Sequence, residues 1–279
     1  NYKETQLTHV APGQPVENAA LPNATLAPGV VARLAWGRGA LLEQVEMQAN
    51  AVYPEQTLGE ELIVIVRDGS ATLEYDGRSA ELLKEHVIYL QPGTKRSVKA
   101  GPGGWKAYEV YSPVRPDHLA LAGQKVDGVN ATFPDQGMTP SLQPGVVVNF
   151  NDIQWTPVTD ADTTKSYRRS PGQSRLIWGK NAQVSFIRMD PGSEFPRHIH
   201  PEDQLTHTVL GTLDQGALDA TYPETGAAGH TVLLPGGMVH SAKLGDVGAD
   251  QLDVFWPVRP DYVQRAETQR ALYEQIVAP

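Results

Sequence analysis

Two imidazoles stand two residues apart in the run Arg197-His198-Ile199-His200-Pro201-Glu202-Asp203-Gln204. On an extended strand, side chains at i and i+2 fall on one side, so His198 and His200 can reach one metal ion together. A third, His240, follows Gly229, Pro235 and Gly237, the punctuation of turns between strands, and can supply a third nitrogen from a neighbouring strand. The alternative is an exposed strand with two polar faces. The 279 residues include no cysteine, which excludes a disulfide framework, a thiolate nucleophile and cysteine-ligated zinc or iron–sulfur sites. Any metal must then be held by nitrogen and oxygen. His9, His86, His118 and His230 are expected on the surface or in loops. His207, at odd spacing from Gln204, should pack on the opposite face.

Strands are the elements that must position these residues. The 26 glycines and 22 prolines are scattered and separate short apolar runs, such as residues 62–66, 87–90 and 231–234. Residues 106–111 and 252–256 alternate with the two-residue period of a half-buried strand, which puts Asp253 and Phe255 on one face. The tail alone has helical spacing, at Val263, Ala266, Tyr273, Ile276 and Val277, with Asp261 as a cap after Pro260. The fold class is therefore all-β with a short C-terminal helix. A composition of 40% hydrophobic and 20% charged residues fits a globular chain, and no apolar run approaches the ~18 residues of a membrane-spanning helix. A net charge of −9 disfavours nucleic acid as a partner.

The chain also repeats itself. At an offset of 142 residues, the run Arg33-Leu34-Ala35-Trp36-Gly37-Arg38-Gly39-Ala40 falls on Arg175-Leu176-Ile177-Trp178-Gly179-Lys180-Asn181-Ala182, and Gly69 falls on Gly211. At 143, Pro92-Gly93 falls on Pro235-Gly236. At 144, the run from Ser112 to Asp117 falls on the run from Trp256 to Asp261. Four matches in one order imply two copies of one fold, with a domain at 1–123, a linker at 124–145 and a second domain at 146–279. In the first copy Gln56, Leu58 and Leu62 stand where the second has His198, His200 and Gln204, and His240 falls near Arg96 or Ser97. The first domain is therefore expected to lack the metal, serving as support or binding something through Glu109, Tyr111 and Arg115.

The spacing of Gly192, His198, His200 and Gly211, followed by Gly229, Pro235, Gly237 and His240, resembles the two motifs of the cupin superfamily. Gln204 stands where that family has a glutamate. The resemblance implies two tandem cupin jelly-roll barrels, a bicupin, with one divalent metal held by His198, His200, Gln204 and His240 in the second. A neutral amide in place of a carboxylate leaves the ion near about +2 rather than about +1, which favours polarisation and proton transfer over redox cycling. In the alternative, three histidines suffice and Gln204 does not ligate. Imidazole and amide oxygen suit zinc, nickel, iron and manganese alike.

Asp253-Val254-Phe255-Trp256-Pro257-Val258-Arg259 is similar to a strand of the small cupins of uronate degradation, with Trp256 for the usual serine. That likeness implies that Asp253 moves protons, Arg259 pairs with a substrate carboxylate and Phe255 walls the substrate. Otherwise Phe255 is core and Arg259 braces a turn with Asp261. The first copy keeps Arg115 and Asp117 without the histidines, which favours the bracing role. The expected activity is Lewis-acid and proton-transfer chemistry on a small anionic carboxylate or sugar acid. The alternatives are a metal-dependent dioxygenase or decarboxylase, and a non-catalytic binding or sensor protein. A monomer or homodimer is expected. The polar lead from Asn1 leaves a bacterial chain open between export to the periplasm and the cytoplasm.

Overall fold

The computed structural model describes residues 11–125, 135–158, 172–218, 220–222 and 228–277. His9 and residues 126–134 of the expected linker lie outside them. The first half carries β1 (Val16–Glu17), β2 (Asn23–Ala27), β3 (Val30–Trp36), β4 (Leu41–Met47), β5 (Val52–Thr57), β6 (Glu61–Tyr75), β7 (Arg78–Leu83), β8 (His86–Leu90), β9 (Lys95–Ser112) and helix α1 (Pro116–Leu121). The second carries β10 (Val148–Asn149), β11 (Trp155–Pro157), β12 (Gly172–Trp178), β13 (Gln183–Met189), β14 (Glu194–His198), β15 (Asp203–Ala217), β16 (Ala220–Tyr222), β17 (His230–Leu234), β18 (His240–Trp256) and helix α2 (Pro260–Val277).

The strands form two antiparallel sheets of the same plan. One runs β10-β8-β6-β9-β4-β3-β2, with β5 on β9 and β7 on β6. The other runs β1-β17-β15-β18-β13-β12-β11, with β14 on β18 and β16 on β15. Each takes one short strand from the other half of the chain: Val16 and Glu17 pair with Thr231 and His230, and Val148 and Asn149 pair with Val87 and His86.

The long strands bend where their ladders slip. The slips fall at Val66/Asp68 and Gly69/Ala71 in the first sheet and at Thr208/Leu210 and Gly211/Leu213 in the second, at equivalent points of the repeat. Gly69 and Gly211 have φ of +73° and +81°, and a Cβ on either would stand 2.2 or 2.1 Å from the carbonyl oxygen of Gly104 or Gly248. Only glycine fits there, which accounts for Gly211 in the motif.

Alternation sorts the faces. Gln251, Asp253 and Phe255 of β18 point into the second barrel, whereas Leu252, Val254 and Trp256 join an apolar cluster continuous with the core of the first. The repeated Trp-Gly turns grip across this junction. Backbone N–H groups of Lys180, Asn181 and Ala182 donate to the buried Glu61 carboxylate at 2.7, 2.9 and 2.9 Å. In the reciprocal contact, Arg38 donates to Asp203 from its backbone N at 3.1 Å and its Nε at 3.0 Å.

Three expectations change. His118 is buried rather than exposed, because α1 turns its inner face onto the first barrel; its Nδ1 meets Glu43 and its Nε2 lies 2.9 Å from the Tyr53 hydroxyl. His86 and His230 sit half-buried on strands instead of in loops. In α2, Asp261 is the second helical residue and its carboxylate accepts from Arg259 instead of capping the helix. Tyr262 and Val263 are the buried anchors of that helix, and Tyr273 is exposed.

Candidate metal centre

β14 ends at His198, which stands opposite His240 at the start of β18. His200 lies just past the strand end, so the chain's turn after β14, rather than simple strand alternation, brings it to the same place. The Gly237 N–H donates to the His200 carbonyl at 2.8 Å and ties the two motif segments together. Ring centroids are 4.2 Å apart for His198 and His240 and 4.9 Å for His200 and His240. One ring nitrogen from each of the three lies within 4.8 Å of the others, the arrangement needed to hold one metal ion.

The backbone selects which nitrogens are free. His198 Nδ1 and His240 Nδ1 each lie 2.9 Å from a carbonyl oxygen, of Pro196 and Met238, to which Nδ1–H donates. Each Nε2 is left with its lone pair, and the buried His240 Nε2 has no partner of any kind. Burial, with the neighbouring imidazole of His198, lowers the His240 pKa to about 3. Burial likewise lowers that of His198. Both rings are therefore neutral, the form that ligates. His200 Nδ1 stands 3.4 Å from a Glu202 carboxylate oxygen, so Glu202 can orient this ring when Nε2 ligates.

Gln204, on β15, puts Oε1 3.1 Å from His200 Nε2 and donates from Nε2 to the Thr206 hydroxyl at 2.8 Å. The 3.1 Å spacing is a hydrogen bond between Gln204 and His200, and it puts the amide oxygen beside the imidazoles, where it could serve as a further oxygen ligand to an ion. Asp253 faces the same cavity, with Oδ1 buried and unpartnered. Burial pushes its pKa up to about 6, against the pull of Thr206 and Gln204. The Phe255 ring meets His200 edge-on at 5.7 Å. Arg259 lines the cavity, but its guanidinium is held by Asp261 at 3.1 and 2.8 Å and lies 4.0 Å over the Tyr262 ring. Its fork is already occupied, as the bracing alternative expects. Tyr262 and Glu202 were not singled out from sequence; the acid two residues after His200 was the available signal for Glu202.

In the first barrel an ion pair occupies the equivalent ground. Arg96 stands opposite Gln56 as His240 stands opposite His198. It makes two 2.8 Å bonds to Glu109, with both side chains 1% exposed, and the Tyr111 hydroxyl bridges them. Glu109 and Tyr111 are the repeat equivalents of Asp253 and Phe255. A fixed guanidinium thus stands where the second barrel gathers its imidazoles. Arg115 is bound by Asp117 and Gln56.

No protein-family model matches the sequence, and no curated protein matches it. Solved structures do match the fold. Oxalate decarboxylase from Bacillus subtilis, in a structure at pH 4.6, matches with a TM-score of 0.61 at 14% identity, covering 89% of this chain and 77% of that one. AerE from Microcystis aeruginosa matches with a TM-score of 0.59 at 10% identity, covering 85% of this chain and 96% of that one. The fold is that of two tandem cupin jelly-roll barrels with a C-terminal helix. The three-histidine cluster in its second barrel can hold a metal ion.

Proposed function

We propose that this chain is a metal-dependent enzyme that holds one divalent ion through His198, His200, His240 and Gln204 and carries out proton-transfer chemistry on a small carboxylate. The observation that carries this is the three-imidazole cluster of His198, His200 and His240, two of whose rings line a cavity that also receives the unpartnered carboxyl oxygen of Asp253. A divalent ion bound there supplies positive charge that polarises a substrate oxygen and stabilises the charge that develops on it.

The side chains supply the rest. Asp253, whose Oδ1 is buried and unpartnered in the cavity, can take up or release a proton there. Thr206 and Gln204 fix its position from β15, and Phe255 and Tyr262 keep water from that side of the cavity. Arg259 adds positive potential, and a substrate carboxylate can use its fork only by displacing Asp261. The cavity is small, which favours a small carboxylate over a sugar acid.

The decarboxylase alternative has support of its own. Among the matching structures, Bacillus subtilis oxalate decarboxylase is described with Mn(II) centres, so manganese and oxalate form the first pair to test. Protein loaded separately with manganese, iron, zinc and nickel is incubated with oxalate, malonate and an unsaturated uronate, with and without O2. Release of CO2 and loss of the uronate ring absorbance are followed. Turnover of a small carboxylate that disappears in Asp253→Asn while the metal is retained is expected. Absence of turnover with every pair, or full activity of Asp253→Asn, overturns the proposal, and a strict need for O2 transfers it to oxygenase chemistry.

A further inference from the structure

We infer that the cleft between the two halves is a second ligand site, built for an organic anion with an apolar body. It measures ≈ 650 Å³, within the usual ~300–1,000 Å³ of small-molecule sites, and shares no residue with the metal cavity. Its apolar wall comes from both halves: Ile65 and Tyr108 from one, Phe150, Phe186 and Val209 from the other.

The charge in the cleft opposes that of the chain. Arg67, Lys84, Lys106 and Arg175 line it, and among the described residues none of the four has a carboxylate within ion-pair distance. A fifth cation, Arg188, is held by Asp250 at 2.9 and 2.8 Å. Asp68 and Glu85 are the acids on the lining, and Glu85 already accepts from Asn151 at 2.7 Å. Four cations outside any ion pair against two carboxylates, in a protein of net charge −9, focus a positive field on this cleft.

The internal repeat sets this cleft against its counterpart in the first half. In the first half Arg33 pairs with Glu46 at 3.5 Å. Their equivalents at the offset of 142 are Arg175 and Arg188, so an arginine, itself paired across the strands with Asp250, stands where the first half has the acid that Arg33 meets. Arg175 stacks 4.9 Å over Phe150 and Arg67 stacks 4.5 Å over Tyr108, which leaves planar cations beside aromatic faces. Two buried donors there lack an acceptor: the Tyr108 hydroxyl and Arg175 Nε–H. An oxygen anion supplies what both lack, and its apolar body lies on the wall formed by Ile65, Val209 and the edge-to-face pair Phe150 and Phe186.

The test uses the whole chain and calorimetric titration with naphthoate, and with naphthylmethanol as its uncharged counterpart. One naphthoate per chain is expected, bound about ten-fold more tightly than the alcohol, a preference that shrinks as salt is added. Arg175→Gln and Arg67→Gln should each weaken naphthoate by about ten-fold, and Tyr108→Phe by several-fold. Lys106→Gln, at an exposed position, should weaken it about three-fold and guards against variants that fail to fold. His240→Ala should leave naphthoate binding unchanged. Equal affinity for acid and alcohol, no binding, or loss in His240→Ala with none in Arg175→Gln overturns the proposal.

Discussion

Replacing Arg96 by Met removes the cation that stands in the first barrel where the second gathers its imidazoles. The guanidinium makes two 2.8 Å bonds to Glu109, with both side chains 1% exposed, and a further bond to the buried Tyr111. Removing one partner of such a buried pair costs about 3–5 kcal/mol, because the remaining carboxylate is left without compensation. At about 2–4 °C per kcal/mol for a chain of this size, the melting temperature should fall by about 6–20 °C. The loss should also depend on pH in a definite sense. Burial raises the Glu109 pKa, but Arg96 outweighs it and holds the carboxyl below its ordinary value. Glu109 thus adds stability above its unfolded pKa of about 4.3, and that contribution is lost as pH falls through the lower folded value. Without Arg96 the folded pKa rises above the unfolded one, so Glu109 becomes a liability at neutral pH that protonation relieves. The gap between variant and parent should therefore be widest near pH 7 and narrow towards about pH 4.5. Arg96→Met with Glu109→Leu removes both charges and should recover most of the loss. Urea midpoints of the three proteins at both pH values make the comparison. A single-variant cost under about 1 kcal/mol, or one independent of pH, would refute the reasoning.

Further outcomes follow from other contacts. Glu61→Gln puts an amide where three backbone N–H groups converge, so one donor meets another; a loss of about 2–4 kcal/mol in chemical denaturation is expected, and a loss within error would show that the grip between halves contributes nothing. Glu202→Gln should weaken metal affinity by about 10–100-fold, read from the metal-induced rise in melting temperature; an unchanged rise would remove Glu202 from the site. Burial lowers the His207 pKa to about 4, so its unfolded form binds the extra proton below about 6.5. The stability kept above that pH is lost progressively down to about pH 4, by up to about 3 kcal/mol, and His207→Gln should flatten the profile over this window.

Much of this was legible because a repeat and a two-residue period are local signals. The offset of 142 located both Trp-Gly turns and Gly211, and alternation put Asp253 and Phe255 on the interior face of β18. What those turns do was not legible, since the carboxylate that Lys180 meets belongs to Glu61, 119 residues away. The exchange of β1 and β10 between sheets was hidden for the same reason, two-residue strands carrying no period. His118 and Tyr262 were missed because each is defined by the face its helix turns inwards. The change from Glu46 to Arg188 was present in the repeat, but it acquired meaning only when Arg175 was seen beside it.

The most direct test of the central claim is the metal itself. Chain freed of metal is titrated calorimetrically with manganese and with zinc, alongside His198→Ala and His240→Ala, with elemental analysis of each dialysed product. About one ion per chain should bind to the parent, with both variants losing at least about ten-fold in affinity. No ion on the parent, or an undiminished ion on His240→Ala, would contradict a centre built from His198, His200 and His240.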